Sequence, residues 1–218
     1  MAIIQKIASQ IRPYMKKNGY KFSKKCYYKV LNDMAFCIQF DMPGGLVYAT
    51  FFVMPLYIPC QNRYYTYGNR INSLHCAKLP PLAKVASDDE IEKWCISLCG
   101  QLEKIVFPFF QEISTPMQLV NAVEKDRHLI GPFFSCPAIH ISRLKLFSYL
   151  YTEDFEKLSL IIKKYPTVLR DSSFLAKTVC DLYLEELSLV NHLMKENVQE
   201  RHSFCIKTIE ETLHKCFK

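Results

Sequence analysis

The sequence predicts an α+β protein: a small antiparallel sheet meander flanked by helices, followed by an all-helical C-terminal unit. Three observations carry this. Residues 20–75 hold apolar runs of strand length separated by short turn signals. From residue 87 the apolar residues recur at helical spacing instead. Half of the 218 residues are hydrophobic and 22% are charged, the balance of a chain that folds around a core.

In chain order, Ile4, Ile7, Ile11 and Tyr14 repeat at i, i+3, i+4 and predict an amphipathic helix over 3–17. Asn18-Gly19 is its stop, because glycine enters the left-handed region without a Cβ clash. Over 21–31, Phe22, Cys26, Tyr28 and Val30 alternate with Lys21, Ser23, Lys25 and Lys29, the pattern of one strand with a wet face. Asn32-Asp33 turns the chain into a strand over 34–42, with Phe36, Ile38 and Phe40 on one side and Gln39 and Asp41 on the other. Pro43-Gly44-Gly45 is a second turn. Residues 46–56 are apolar on both sides, as in a central strand covered on both faces. Such short turns imply antiparallel pairing. Residues 57–86 are irregular, with an edge strand expected within Arg63-Tyr64-Tyr65-Thr66-Tyr67.

Ser87-Asp88-Asp89-Glu90 is a capping box, in which serine and glutamate satisfy each other's backbone amides. Ile91, Trp94, Cys95, Leu98, Leu102 and Ile105 form the apolar stripe that follows, and Pro108 is expected to end or kink this helix. Thr115-Pro116 starts another helix, and 128–138 reads as a loop. Helices are then expected over 141–151 and over 154–164, with Thr152 as cap and a stop at Tyr165-Pro166. Ser172 or Ser173 is expected to cap a closing helix or pair of helices. One face of it carries Leu175, Val179, Leu182, Leu189 and Leu193, continued by Ile206, Ile209 and Leu213. The expected division is an α+β domain over 1–125 and a helical unit over 139–218 packed on or beside it.

No apolar stretch resembles a secretory signal or a membrane span, so a soluble, cytoplasmic protein with no membrane partner is expected. The ten cysteines are then expected to stay reduced and to serve as small core residues. Cys95 and Cys99 are one helical turn apart, but no second close pair completes a zinc set, so core filling is expected there too. The histidines at 75, 128, 140, 192, 202 and 214 match no metal or triad spacing. Gly44-Gly45 precedes a strand, whereas a phosphate cradle feeds a helix. No catalytic, cofactor or metal residues are therefore assigned.

The charge is uneven. The net charge is +7, and residues 1–76 hold ten basic side chains against two acidic ones. Lys21, Lys25, Tyr27 and Lys29, with Arg63, Tyr64, Tyr65, Tyr67 and Arg70, form the candidate binding face. A positive field steers acidic partners, and basic residues interleaved with aromatics also suit single-stranded nucleic acid.

The order of an N-terminal helix, Gly19-Tyr20-Lys21-Phe22, Tyr27-Tyr28-Lys29, Phe36-Cys37-Ile38-Gln39-Phe40, Pro108-Phe109-Phe110 and Ser114-Thr115-Pro116 resembles the uncharacterised bacterial family called domain of unknown function 4304. The resemblance covers about residues 1–125. It implies an α+β domain of cytoplasmic bacterial proteins and no established activity. The leading expectation is a non-enzymatic protein-binding module whose basic-aromatic sheet face meets an acidic protein. The alternatives are nucleic-acid binding through that face, and an enzyme with a pocket at the sheet-helix junction drawing on Asp41, Tyr48 or His140.

Overall fold

The computed structural model describes residues 2–74, 76–125, 137–172 and 175–218. His75, His128, Cys136, Ser173 and most of the loop expected over 128–138 lie outside them.

The architecture is α+β, as predicted. Helix α1 (Ile3–Lys17) is followed by β1 (Lys21–Ser23), β2 (Cys26–Leu31), β3 (Met34–Asp41), β4 (Leu46–Pro55), β5 (Tyr67–Arg70) and β6 (Leu82–Ala83). The strands form an antiparallel meander in the order β1-β2-β3-β4-β5, and β6 pairs with the start of β4. Helices α2 (Asp88–Gln101), α3 (Phe107–Glu112) and α4 (Pro116–Lys125) come next. The C-terminal helical region is α5 (Pro137–Tyr151), α6 (Phe155–Asp171), α7 (Lys177–Leu193) and α8 (Val198–Phe217).

Several boundaries fall where the sequence puts them. Asn18-Gly19 ends α1 with Gly19 at φ 82°. Ser87 and Glu90 form the reciprocal capping box of α2. Asn32-Asp33, both at positive φ, make the two-residue turn between β2 and β3, the geometry that matches strand twist in a hairpin.

The first strand is corrected. Lys24 and Lys25 both adopt positive φ and reverse the chain, so 21–31 is a hairpin rather than one strand. The reversal changes which residues share a face. Tyr27 pairs with Phe22, their rings 4.7 Å apart, and its hydroxyl donates to the Ala8 carbonyl of α1. Tyr27 is thus a core residue and not a neighbour of exposed lysines.

Both faces of the sheet are covered. Phe36, Ile38, Phe40, Phe51 and Val53 pack with α1, α2 and α3 in the main core. Cys26, Cys37, Phe52 and Met54 point the other way and pack against Cys216 and Phe217 at the end of α8. The edge strand begins only at Tyr67. There Gly68 lies so close to β4 that a Cβ would stand 2.1 Å from the Phe51 carbonyl oxygen.

The helices carry further corrections. A π turn over Leu102–Val106 adds a residue to the helical register, so Val106 is buried where Ile105 was expected. This widened turn places Pro108 in the first turn of α3, where its missing amide leaves no bond unmade. Pro166 does not stop α6, which runs on to Asp171. Buried Tyr165 and Leu169 on either side offset the roughly 3 kcal/mol that an interior proline costs. Asp154, not Thr152, caps α6, while the Ser172 hydroxyl donates back to the Val168 carbonyl and Ala176 stands at the start of α7. Pro137 and Ala138 open α5 instead of closing a loop.

The helical region docks on the sheet through α5. Tyr57, just past β4, stacks on Tyr151 at 4.5 Å and bonds the Ser148 hydroxyl at 2.9 Å. Tyr151 in turn donates to Asp33 at 2.5 Å.

Candidate functional groove

Two charged residues stand at apolar positions of the C-terminal helices. Arg143 falls in register with Ile139, Leu146 and Phe147 of α5, and Glu186 with Tyr183 and Val190 of α7. Helix packing brings them together. Arg143 Nε donates to Glu186 Oε2 at 2.7 Å and Nη2 donates to Oε1 at 2.5 Å, a bidentate pair. The same Nη2 donates to the Pro59 carbonyl at 2.6 Å, fixing the segment that follows β4. The guanidinium also lies 5.5 Å from the ring centroid of Tyr64 and 5.8 Å from those of Phe147 and Tyr183. Burial alone would pull the guanidinium pKa down; the hydrogen-bonded Glu186 reverses this and holds it charged.

Above this pair lies a groove of about 810 Å³ between the 59–64 segment and helices α5, α7 and α8. Its apolar wall is Leu182, Leu189 and Phe204; Lys207, Glu211 and Lys215 line it along α8. Leu193 of the expected stripe is buried, but Leu182 is 49% exposed here, because α7 buries Tyr183, Glu186, Leu187 and Val190 along with Leu193. Ile206 is likewise exposed, and α8 buries Cys205, Thr208 and Thr212. A second, small cavity of about 10 Å³ adjoins, lined by Tyr64, Thr66, His140 and Arg143. His140 borders both spaces, with Nδ1 3.5 Å from the Tyr183 hydroxyl. Burial, aided by the Arg143 charge, pulls its imidazole down to about 4, so it is neutral at pH 7.

The nine residues of the expected binding face do not share one surface. Lys21 and Lys25 are exposed on the first hairpin, whereas Lys29 lies over Gly19 and donates to the Asn18 carbonyl at 3.3 Å. Tyr27 and Tyr67 are core residues, Tyr67 against Phe109. Tyr65 packs on Phe52 and Tyr64 lines the groove. Arg70 pairs with Asp41 at 2.9 Å and lies over Tyr48, a cluster outside the groove that separates these three from His140.

Arg63 is placed differently again. It donates to the Ser23 and Lys24 carbonyls and lies over the Phe217 ring, while Lys24 Nζ donates to the Lys215 carbonyl at 3.0 Å. This gathers Lys24 and Arg63 at the end of α8, where Lys215 lines the groove and pairs with Glu211 at 3.2 Å. The sequence separates Lys24 and Lys215 by 191 positions, and no local pattern announces their meeting.

Among the described residues no group of three or more His, Cys, Asp or Glu side chains has metal-site geometry, and no helix is long and apolar enough to cross a membrane. Cys95 is buried and Cys99 half-buried, their thiols pushed up by burial to about 12 and about 11.

Comparison with family models, curated proteins and solved structures returns no match. The resemblance of residues 1–125 to domain of unknown function 4304 therefore rests on its packing motifs alone.

Proposed function

We propose that this chain is a protein-binding module that takes an amphipathic, acidic segment of a partner into the groove between the 59–64 segment and helices α7 and α8. The observation that carries this is the junction of a partly exposed apolar wall, Leu182, Leu189 and Phe204, with Lys215 of α8, next to which Lys24 and Arg63 add two further cations. An apolar stripe on a partner helix fits the wall, and its carboxylates reach the cations. The floor supports recognition over chemistry, since Arg143 and Glu186 neutralise each other in a closed pair. The dispersal of Lys21, Lys25 and Lys29 counts against the continuous basic-aromatic sheet that nucleic acid uses.

Affinity capture from the native host tests this reading with wild type and a Leu189→Asp/Lys215→Glu variant. The reading expects a protein retained by wild type, released by salt, and lost by the variant. Identical capture by both would refute it.

An enzymatic reading draws on one observation, the neutral His140 beside Tyr183 at the groove floor. It differs in its dependence on the imidazole: His140→Gln abolishes turnover in an enzyme and leaves partner capture intact in a binding module.

A further inference from the structure

Nine cysteines are described, and two of them meet across the fold. Cys60, in the segment after β4, and Cys216, in the last turn of α8, have their sulfurs 3.7 Å apart. A disulfide requires about 2.05 Å between sulfurs, so closure draws the two closer, and Cys60 is the one of the pair outside any helix or strand. The setting is electropositive. Arg63 is fixed over Phe217 by two bonds to the first hairpin, and Lys24 is tied to the Lys215 carbonyl. Access is unequal: Cys60 is half-buried and borders the groove, while Cys216 is only 2% exposed.

We propose that Cys60 and Cys216 are a redox pair, which closes into a disulfide by exchange with a low-molecular-weight disulfide entering through the groove. The disulfide fastens the end of α8 to the segment after β4.

The hydrogen bond from Cys60, together with the charges of Arg63, Lys24 and Lys215, pulls the Cys216 thiol down, while the same bond and burial push the Cys60 thiol up. Starting from the ionised pair, in which Cys216 carries the charge, the Cys60 proton passes to Cys216 as the Cys60 sulfur attacks one sulfur of the small disulfide. The S–S bond of the small molecule breaks, its other half leaves as a thiolate, and Cys60 carries the mixed disulfide. The departing thiolate takes the proton from Cys216. Cys216 then attacks the Cys60 sulfur and expels the second small thiolate. Two protein thiols have lost two electrons, and one small disulfide has become two thiol equivalents.

The remaining cysteines supply the contrast. Among the described residues Cys76 is exposed and half of no such pair, and Cys26 and Cys37, which neighbour each other, are fully buried beneath the sheet. The proposal does not depend on what the groove binds.

The test uses the full chain incubated over graded ratios of oxidised to reduced glutathione, acid-quenched, alkylated and mapped by mass spectrometry. The expected product is a linked pair of peptides containing Cys60 and Cys216, reversed by excess reduced glutathione. Cys216→Ser is expected to stop at a glutathione adduct on Cys60, and Cys60→Ser to leave Cys216 unmodified. Wild-type protein in which both sulfurs stay alkylatable while Cys76 is glutathionylated would overturn the proposal, as would a lasting glutathione adduct on wild-type Cys60. Both outcomes are read on wild type, so misfolding of a variant does not obscure them.

Discussion

Arg143→Met isolates the interaction at the groove floor. The Arg143 and Glu186 side chains are 10% and 6% exposed, so water does not replace the lost cation. Removing one partner of a buried pair costs about 3–5 kcal/mol, mostly through the charge left behind. For a chain of this size that corresponds to a Tm lowered by roughly 6–20 °C. The variant also loses the donor to the Pro59 carbonyl, so the groove segment loosens together with the helices. The double variant Arg143→Met/Glu186→Leu replaces both charges with apolar volume and should recover most of the loss, since such pairs are often near neutral against well-packed hydrophobes. Urea denaturation followed by circular dichroism on wild type, the two single variants Arg143→Met and Glu186→Leu, and the double variant closes the cycle. A single variant within about 1 kcal/mol of wild type, or losses that simply add in the double variant, would refute a closed, buried pair.

His140 sets a pH dependence. Its folded pKa, about 4, lies below the ordinary histidine value, so the unfolded chain binds the proton more readily. Stability from the neutral imidazole is full above pH 6.5 and is lost as pH falls from there to about 4. The upper bound is about 3 kcal/mol, reduced by the partial exposure of the ring. His140→Gln should flatten that part of the stability–pH curve, and an unchanged slope would contradict the burial argument. Gly68→Ala drives a Cβ into the β4 backbone and should cost about 3 kcal/mol or prevent folding, read as lost soluble yield or a lower urea midpoint. A well-folded Gly68→Ala protein of wild-type midpoint would mean that β5 does not lie this close to β4.

Much of the fold is legible in the sequence where a local rule acts alone. The stop at Asn18-Gly19, the capping box at Ser87 and the two-sided apolar run of β4 each need no distant partner to be read. The Lys24-Lys25 turn is different. It uses left-handed backbone at two lysines, without the Asn-Gly or Asp-Gly signal of such turns, so the alternation reads as continuous and its phase slips by one. That slip put Tyr27 beside the lysines when it belongs under α1. In α7 the leucine spacing points to Leu182 and Leu189, and only tertiary packing reveals that Tyr183, Glu186 and Val190 are the inward residues. Charged residues at inward helical positions, Arg143 and Glu186, are the sequence signals for the groove floor, and their meaning depends on a contact across 43 positions. The Cys60–Cys216 and Lys24–Lys215 contacts span 156 and 191 positions, distances over which periodicity carries no information.

Site-specific photo-crosslinking in the native host reads out where a partner docks. A photoreactive residue at Leu182, on the groove wall, should yield a discrete cross-linked protein, while the same residue at Val85, 90% exposed and outside the groove, should not. The Lys215→Glu change should weaken the Leu182 product and make the remainder less sensitive to salt. No product at Leu182, or equal products at both positions, would contradict a partner-binding groove.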